Sequence, residues 1–85
     1  MSRYRDLALK CVIKEEYREF FYSSIIGGNL SRFLTYNKVT GECSLKIEYN
    51  VHNMEFHSLV REFTENSLPC IADKLVYLYD YLEDE

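Results

Sequence analysis

Between residues 45 and 51 the apolar side chains fall on every second position. Leu45, Ile47, Tyr49 and Val51 alternate with Lys46, Glu48 and Asn50. A period of two sends alternate side chains to opposite sides of an extended chain. This stretch therefore demands a sheet with one face buried and one face wet. A strand also needs a partner, and residues 32–37 supply a second strand-like run. Between the two runs, Asn37-Lys38-Val39-Thr40-Gly41-Glu42 has the chemistry of a tight turn, with Gly41 taking a positive φ. The sequence predicts an antiparallel hairpin here.

The flanks carry a mixed pattern. Over residues 7–13, Leu7, Leu9, Cys11 and Ile13 alternate with Ala8, Lys10 and Val12, which is strand-like. From Lys14 onward Ile13, Tyr17, Phe20, Phe21 and Ser24 share one helical face. One helix over 4–26 would set the apolar stripes of its two halves roughly 160° apart. A strand followed by a helix removes that conflict, with Gly27-Gly28 closing the helix. Asn53 is a good N-cap for the next helix, whose stripe is Phe56, Leu59, Val60 and Phe63 and whose end is expected at Asn66-Ser67. Ser67 then caps a last helix, with Pro69 in its first turn. Its inward stripe is Leu68, Ile71, Ala72, Leu75, Leu78, Tyr79 and Leu82. Tyr77, Tyr79 and Tyr81 also alternate as a strand would, but the match at 68, 71, 72 and 75 favours the helix.

These readings assemble into one α+β domain over residues 1–85, in the order β-α-β-β-α-α. A small three-stranded sheet, antiparallel or mixed, carries helices on one face. A wholly helical first segment would leave α-β-β-α-α around a bare hairpin. Hydrophobic residues at 47% supply a core, and 85 residues leave room for one domain only.

Charge is unevenly spread. Residues 1–48 hold eight Lys/Arg and six Asp/Glu; residues 49–85 hold only Arg61 and Lys74 against eight Asp/Glu. A C-terminal half of this sign suits a partner with a basic patch and disfavours a phosphate backbone. The three cysteines, Cys11, Cys43 and Cys70, are odd in number and widely spaced, and no apolar leader segment follows the charged start. Free thiols and a cytoplasmic, reducing setting are expected, with no membrane span.

No motif points to catalysis or to a cofactor. His52 and His57 have the spacing of half a zinc finger, without the upstream Cys pair. A metal would require Cys43, His52, His57 and Cys70 to converge. Cys70 lacks the positioned base that a nucleophile needs. Glu15-Glu16 and Glu83-Asp84-Glu85 read as solvated charge. We therefore expect no enzyme, no metal and no cofactor.

The outer face of the expected last helix is the most informative surface. At 100° per residue, Asp73, Tyr77, Asp80, Tyr81 and Asp84 would cluster there, beside Cys70 and Lys74. Two tyrosines among three aspartates suit a contact with a basic protein surface. The expectation is a small acidic binding protein, an inhibitor or adaptor. Mimicry of nucleic acid by its carboxylates and an origin in a virus or mobile element both fit its size and charge. One alternative is a nucleic-acid-binding regulator that uses Arg3, Arg5, Lys10, Lys14, Arg18 and Arg32 with Tyr4, Tyr17 and Phe33. Another is a structural homo-oligomer, such as a homodimer closed over the tyrosines.

Overall fold

The computed structural model describes residues 3–25 and 28–84. The alternation of Leu7, Leu9, Cys11 and Ile13 builds a central strand, β1 (Arg3–Ile13). Leu7, Leu9, Cys11 and Ile13 point into the core, and Leu7, Leu9 and Ile13 are fully buried. Each such side chain contributes roughly 1.5–3 kcal/mol when removed from water. The strand starts four residues before the apolar pattern indicated, because Tyr4, Arg5 and Asp6 have partners on both sides.

The hairpin forms as predicted, though its first arm is short. β2 (Leu34–Tyr36) pairs antiparallel with β3 (Glu42–Asn50), while Ser31–Phe33 makes a 3-10 turn. Gly41 has φ +81°, and Asn37 Oδ1 accepts from the Val39 and Thr40 N–H groups, which fixes the turn. Arg18 braces it from the side. Its Nε donates to the Ile13 carbonyl and its Nη1 to the Val39 carbonyl, both at 3.0 Å.

Strand–helix order in the first segment also holds. A 3-10 turn at Glu15–Tyr17 leads into α1 (Arg18–Ile25). Of the expected stripe, Ile13 is buried at the end of β1 and within α1 only Phe21 is; Phe20 stays 70% exposed. The glycine pair meant to close this helix falls partly outside the described residues, since Gly27 is not among them; Gly28 donates to the Ile25 carbonyl.

The second helical stretch is longer than its sequence signals. α2 (Met54–Arg61) starts at Asn53, whose side chain accepts from the Phe56 N–H as a cap should. It does not stop at Asn66-Ser67. A wider π-helical segment, Glu62–Ser67, carries it into α3 (Leu68–Ile71). Pro69 has no N–H and crowds the carbonyl four residues back, and local widening is one way a helix accommodates it. Val60, Thr64 and Leu68 stay buried through this passage, with Thr64 Oγ1 donating to the Val60 carbonyl.

The main correction follows. Residues expected to form a last helix to Leu82 instead form β4 (Ala72–Asp84), which pairs antiparallel with β1. The sheet therefore has four strands, not three, in the order β2-β3-β1-β4. The helical spacing at 68, 71 and 72 belongs to α3 and its exit. Beyond it, Val76, Tyr77, Tyr79 and Tyr81 are strand formers, and β1 carries a second row of backbone groups that β3 cannot satisfy. The connectivity β-α-β-β-α-β interleaves two β-α-β units, so each is split by a strand of the other. The helices share one side of the sheet, where Phe21 stacks on Phe63. No helix among the described residues is long and apolar enough to cross a membrane.

Candidate interaction surface

Directly opposed residues on neighbouring strands share a face, so the register sorts every side chain. On the helix side lie Arg5, Leu7, Leu9 and Cys11 of β1 with Tyr49, Ile47, Leu45 and Cys43 of β3. Among the described residues, the other side has no covering layer. It carries Tyr4, Asp6, Ala8, Lys10 and Val12, flanked by Glu42, Ser44, Lys46, Glu48 and Asn50. From β4 it receives Asp73, Val76, Tyr79, Tyr81 and Glu83.

The five residues assigned to one helical face are therefore divided. Tyr77 opposes Leu9 and Asp80 opposes Leu7, on the helix side. Asp73 opposes Val12 and Tyr81 opposes Asp6, on the open side. The Asp84 backbone pairs with Arg3, and its side chain lies outside the described part of the structure. Helical winding would have been needed to bring all five together.

What the open face does assemble is a tyrosine cluster among carboxylates. Tyr79 and Tyr81 pack with ring centroids 5.8 Å apart. The Tyr81 hydroxyl donates to Asp6 Oδ2 at 3.0 Å, which pushes its pKa above the ordinary phenol value. Among the strand-paired residues of this face, Asp6, Glu42, Glu48, Asp73 and Glu83 stand against Lys10 and Lys46, five carboxylates to two ammonium groups, with Lys74 bordering the face beside Lys10 and Val76. The period-two run Tyr4, Asp6, Ala8, Lys10 was the available signal for the β1 part of this face. The partnership of residues 6 and 81 had no local signal.

β4 is also an edge. The Ile13 N–H donates to Gly41 and the Val51 N–H to Arg3, so odd residues of β1 turn their backbone groups toward β3. Even residues turn toward β4. Tyr79, Tyr81 and Glu83 therefore bond inward, and Asp80 and Leu82 offer backbone groups to the outside. Exposed Val76, Tyr77, Leu78, Tyr81 and Leu82 line this strand, five of the ten large exposed hydrophobics among the described residues. An unpaired apolar edge is a template for another chain. Compared with protein-family models, curated proteins and solved structures, the chain matches none.

On the helix side a polar chain crosses three strands and reaches α2. Arg5 donates from Nε and Nη2 to both oxygens of Asp80, each at 2.8 Å, and from Nη1 to the Tyr49 hydroxyl. The Tyr49 hydroxyl lies 2.7 Å from His57 Nδ1; we assign the phenol as donor there, which leaves the neutral imidazole with its proton on Nε2. Its pKa is lowered by burial, then by Arg5 and Arg61, while Asp80 is held below the usual carboxylate value by its bond from Arg5.

The other candidate groups stay apart. Cys43 lies buried against Cys11 on the sheet, Cys70 is exposed in α3, and the histidines flank the start of α2. No three His, Cys, Asp or Glu among the described residues are placed to hold a metal ion. The six cations of the basic first third also separate. Arg5 and Arg18 are engaged internally, Arg32 lies over the Phe33 ring, and Lys10 points to the open face.

Proposed function

We propose that this chain is a small, non-enzymatic binding protein that docks on a protein partner with a basic surface. The open sheet face and the outer edge of β4 would form the contact. The observation that carries this reading is the group Tyr4, Tyr79 and Tyr81 on an uncovered face where strand-paired carboxylates outnumber strand-paired lysines five to two. Tyrosine supplies large contact area at low entropic cost, and the carboxylates supply complementary charge. At about 3.3 Å per residue, β4 and β1 give a platform about 35 Å long, enough for an interface of ordinary size. A partner that itself binds nucleic acid is the natural class, because carboxylates can take the place of phosphates on its surface.

Tyrosines on an open four-stranded sheet also suit stacking on RNA bases. Here the sign of the face opposes it, since phosphate binding needs cations. An arginine-rich peptide and an acidic peptide of equal length serve as probes, with backbone amide shifts as the readout. The arginine-rich peptide should perturb β4 and the open face, more weakly at high salt and in Asp73→Asn, Glu83→Gln and Tyr81→Ala variants. A response indifferent to salt and to all three changes would overturn the reading, as would a gel shift of RNA or duplex DNA at low salt.

A further inference from the structure

On the helix side of the sheet a concavity of about 710 Å³ opens between α2 and the distal half of β4. Both histidines of the chain and three of its five arginines line it: Arg3, Arg5, His52, His57 and Arg61. Three arginines and both potential cation-forming imidazoles thus converge in a chain of net charge −4. Two carboxylates, Asp80 and Glu65, share the wall. Asp80 has both oxygens occupied by Arg5. Glu65 meets Arg61 at only 3.4 Å, with both side chains at least half exposed.

Donors remain for a ligand. Arg5 commits three N–H groups to Asp80 and Tyr49 and has two more. His57, in the tautomer whose Nδ1 accepts from the Tyr49 hydroxyl, has Nε2–H left to give. Arg61 is exposed enough to swing inward. The rest of the lining is Val51, Met54, Leu82 and Tyr81, largely apolar, with Met54 64% and Leu82 49% exposed. A cationic wall facing an apolar wall, in a volume typical of small-molecule sites, selects a ligand with an acid head and an apolar body.

We propose that this concavity binds a small organic oxyanion, a phosphate monoester or carboxylate. Arg61, His57 and the remaining Arg5 N–H groups would hold the head, with Met54 and Leu82 against the body. The groups that would hold the head lie on the opposite side of the sheet from the tyrosine face, with Tyr81 bordering both, and this site does not rest on the function proposed above. A bound anion offsets the repulsion that Arg5 from β1 and Arg61 from α2 impose on the imidazolium of His57, and it adds to the effect of Glu65. The two equilibria are linked, so affinity rises as pH falls through the His57 pKa, and the anion raises that pKa. Tyr49 from β3 and Asp80 from β4 complete the surroundings of this group.

The test follows the imidazole C–H signals of His52 and His57 by NMR at constant ionic strength. Phenyl phosphate and benzoate are the two head chemistries, inorganic phosphate is the head alone, and phenol is the body alone. Phenyl phosphate or benzoate should give a saturable shift, tighter than inorganic phosphate, with none from phenol; whichever binds more tightly identifies the head. Arg61→Ala should weaken that binding at least about tenfold, roughly one charge-assisted contact. Lys74→Ala, outside the concavity, should leave it unchanged. No saturable response up to about 10 mM, the weak end of specific affinity, or equal affinity in Arg61→Ala, overturns the proposal.

Discussion

Replacing Gly41 with alanine should remove one of the main fastenings of the fold. The residue has φ +81°, a region where a side chain costs about 1–2 kcal/mol. A Cβ built there would lie 2.5 Å from Arg18 Nε and 2.6 Å from the Ile13 carbonyl oxygen. The carbonyl is backbone inside the end of β1 and cannot retreat, so the Arg18 side chain must leave. Its bonds to the Ile13 and Val39 carbonyls go with it. Each is charge-assisted but partly wet, worth about 1 kcal/mol net. Gly41→Ala should therefore cost about 3–4 kcal/mol, a large part of the roughly 4–13 kcal/mol expected for a domain of this length.

Urea unfolding followed by tyrosine fluorescence and far-ultraviolet circular dichroism measures this directly. With a slope near 1 kcal/mol per molar for so small a domain, the midpoint should fall by about 3 M. Arg18→Ala alone should cost about 2 kcal/mol. In the Gly41→Ala background it should cost almost nothing, because the bonds it removes are already broken. A Gly41→Ala loss below about 1 kcal/mol, or simple additivity of the two changes, would refute the reasoning. Should Gly41→Ala be unfolded outright, Arg18→Ala by itself still reports the strength of the brace.

Two further outcomes follow from the polar chain and the thiols. The His57 pKa lies below its ordinary 6.5 in the folded state, so the stability it protects is complete above pH 6.5 and is lost as pH falls through the folded value. The urea midpoint should drop below about pH 6.5, and His57→Gln, which keeps an acceptor for Tyr49, should flatten that drop; an unchanged profile counts against the tautomer assigned to His57. The Cys43 thiol, hydrogen-bonded to Cys11 and buried, is pushed well above the usual thiol range, whereas Cys70 is exposed. A chromogenic disulfide reagent near neutral pH should titrate one thiol quickly and two only as the protein opens; three fast equivalents would contradict the packing.

The parts of the fold written in nearest-neighbour chemistry were readable. The alternation from Leu45 to Val51, the Asn37–Gly41 turn and the Asn53 cap each follow from local preferences, and each is where it was expected. β4 was not readable because two rules competed over the same residues. Leu68, Ile71 and Ala72 keep helical spacing because they end a helix, while Tyr77, Tyr79 and Tyr81 carry strand-like spacing because they lie within β4, the irregularity at Leu78 turning Tyr77 to the other face. What decides between them is the vacant side of β1, far away in sequence. The candidate site suffered from the same ambiguity. Its tyrosines and aspartates were visible as composition, but a wrong winding gathered the wrong subset. Bonds from Tyr81 to Asp6 and from Arg5 to Asp80 span 75 residues and leave no trace in local pattern.

Of two irregularities in the register of β4 on β1, the one at Leu78 decides which groups of the distal half of β4 each side of the sheet receives. Tyr77 opposes Leu9 and Tyr79 opposes Ala8, leaving Leu78 without an opposite number. Such an irregularity inverts the alternation beyond it. Continued without it, the register from Tyr77 would set Asp80 across from Asp6 and Tyr81 across from Arg5. Two carboxylates would then face each other on the open side, and Arg5 would lose the acid that matches its fork. With the extra residue, Asp80 reaches Arg5 at 2.8 Å on the helix side, and Tyr81 reaches Asp6 at 3.0 Å on the open side. The anion-binding concavity and the tyrosine face thus depend on the same local feature. Shortening β4 by one residue at Leu78 would disturb both surfaces together, whereas a substitution on one face leaves the other in place.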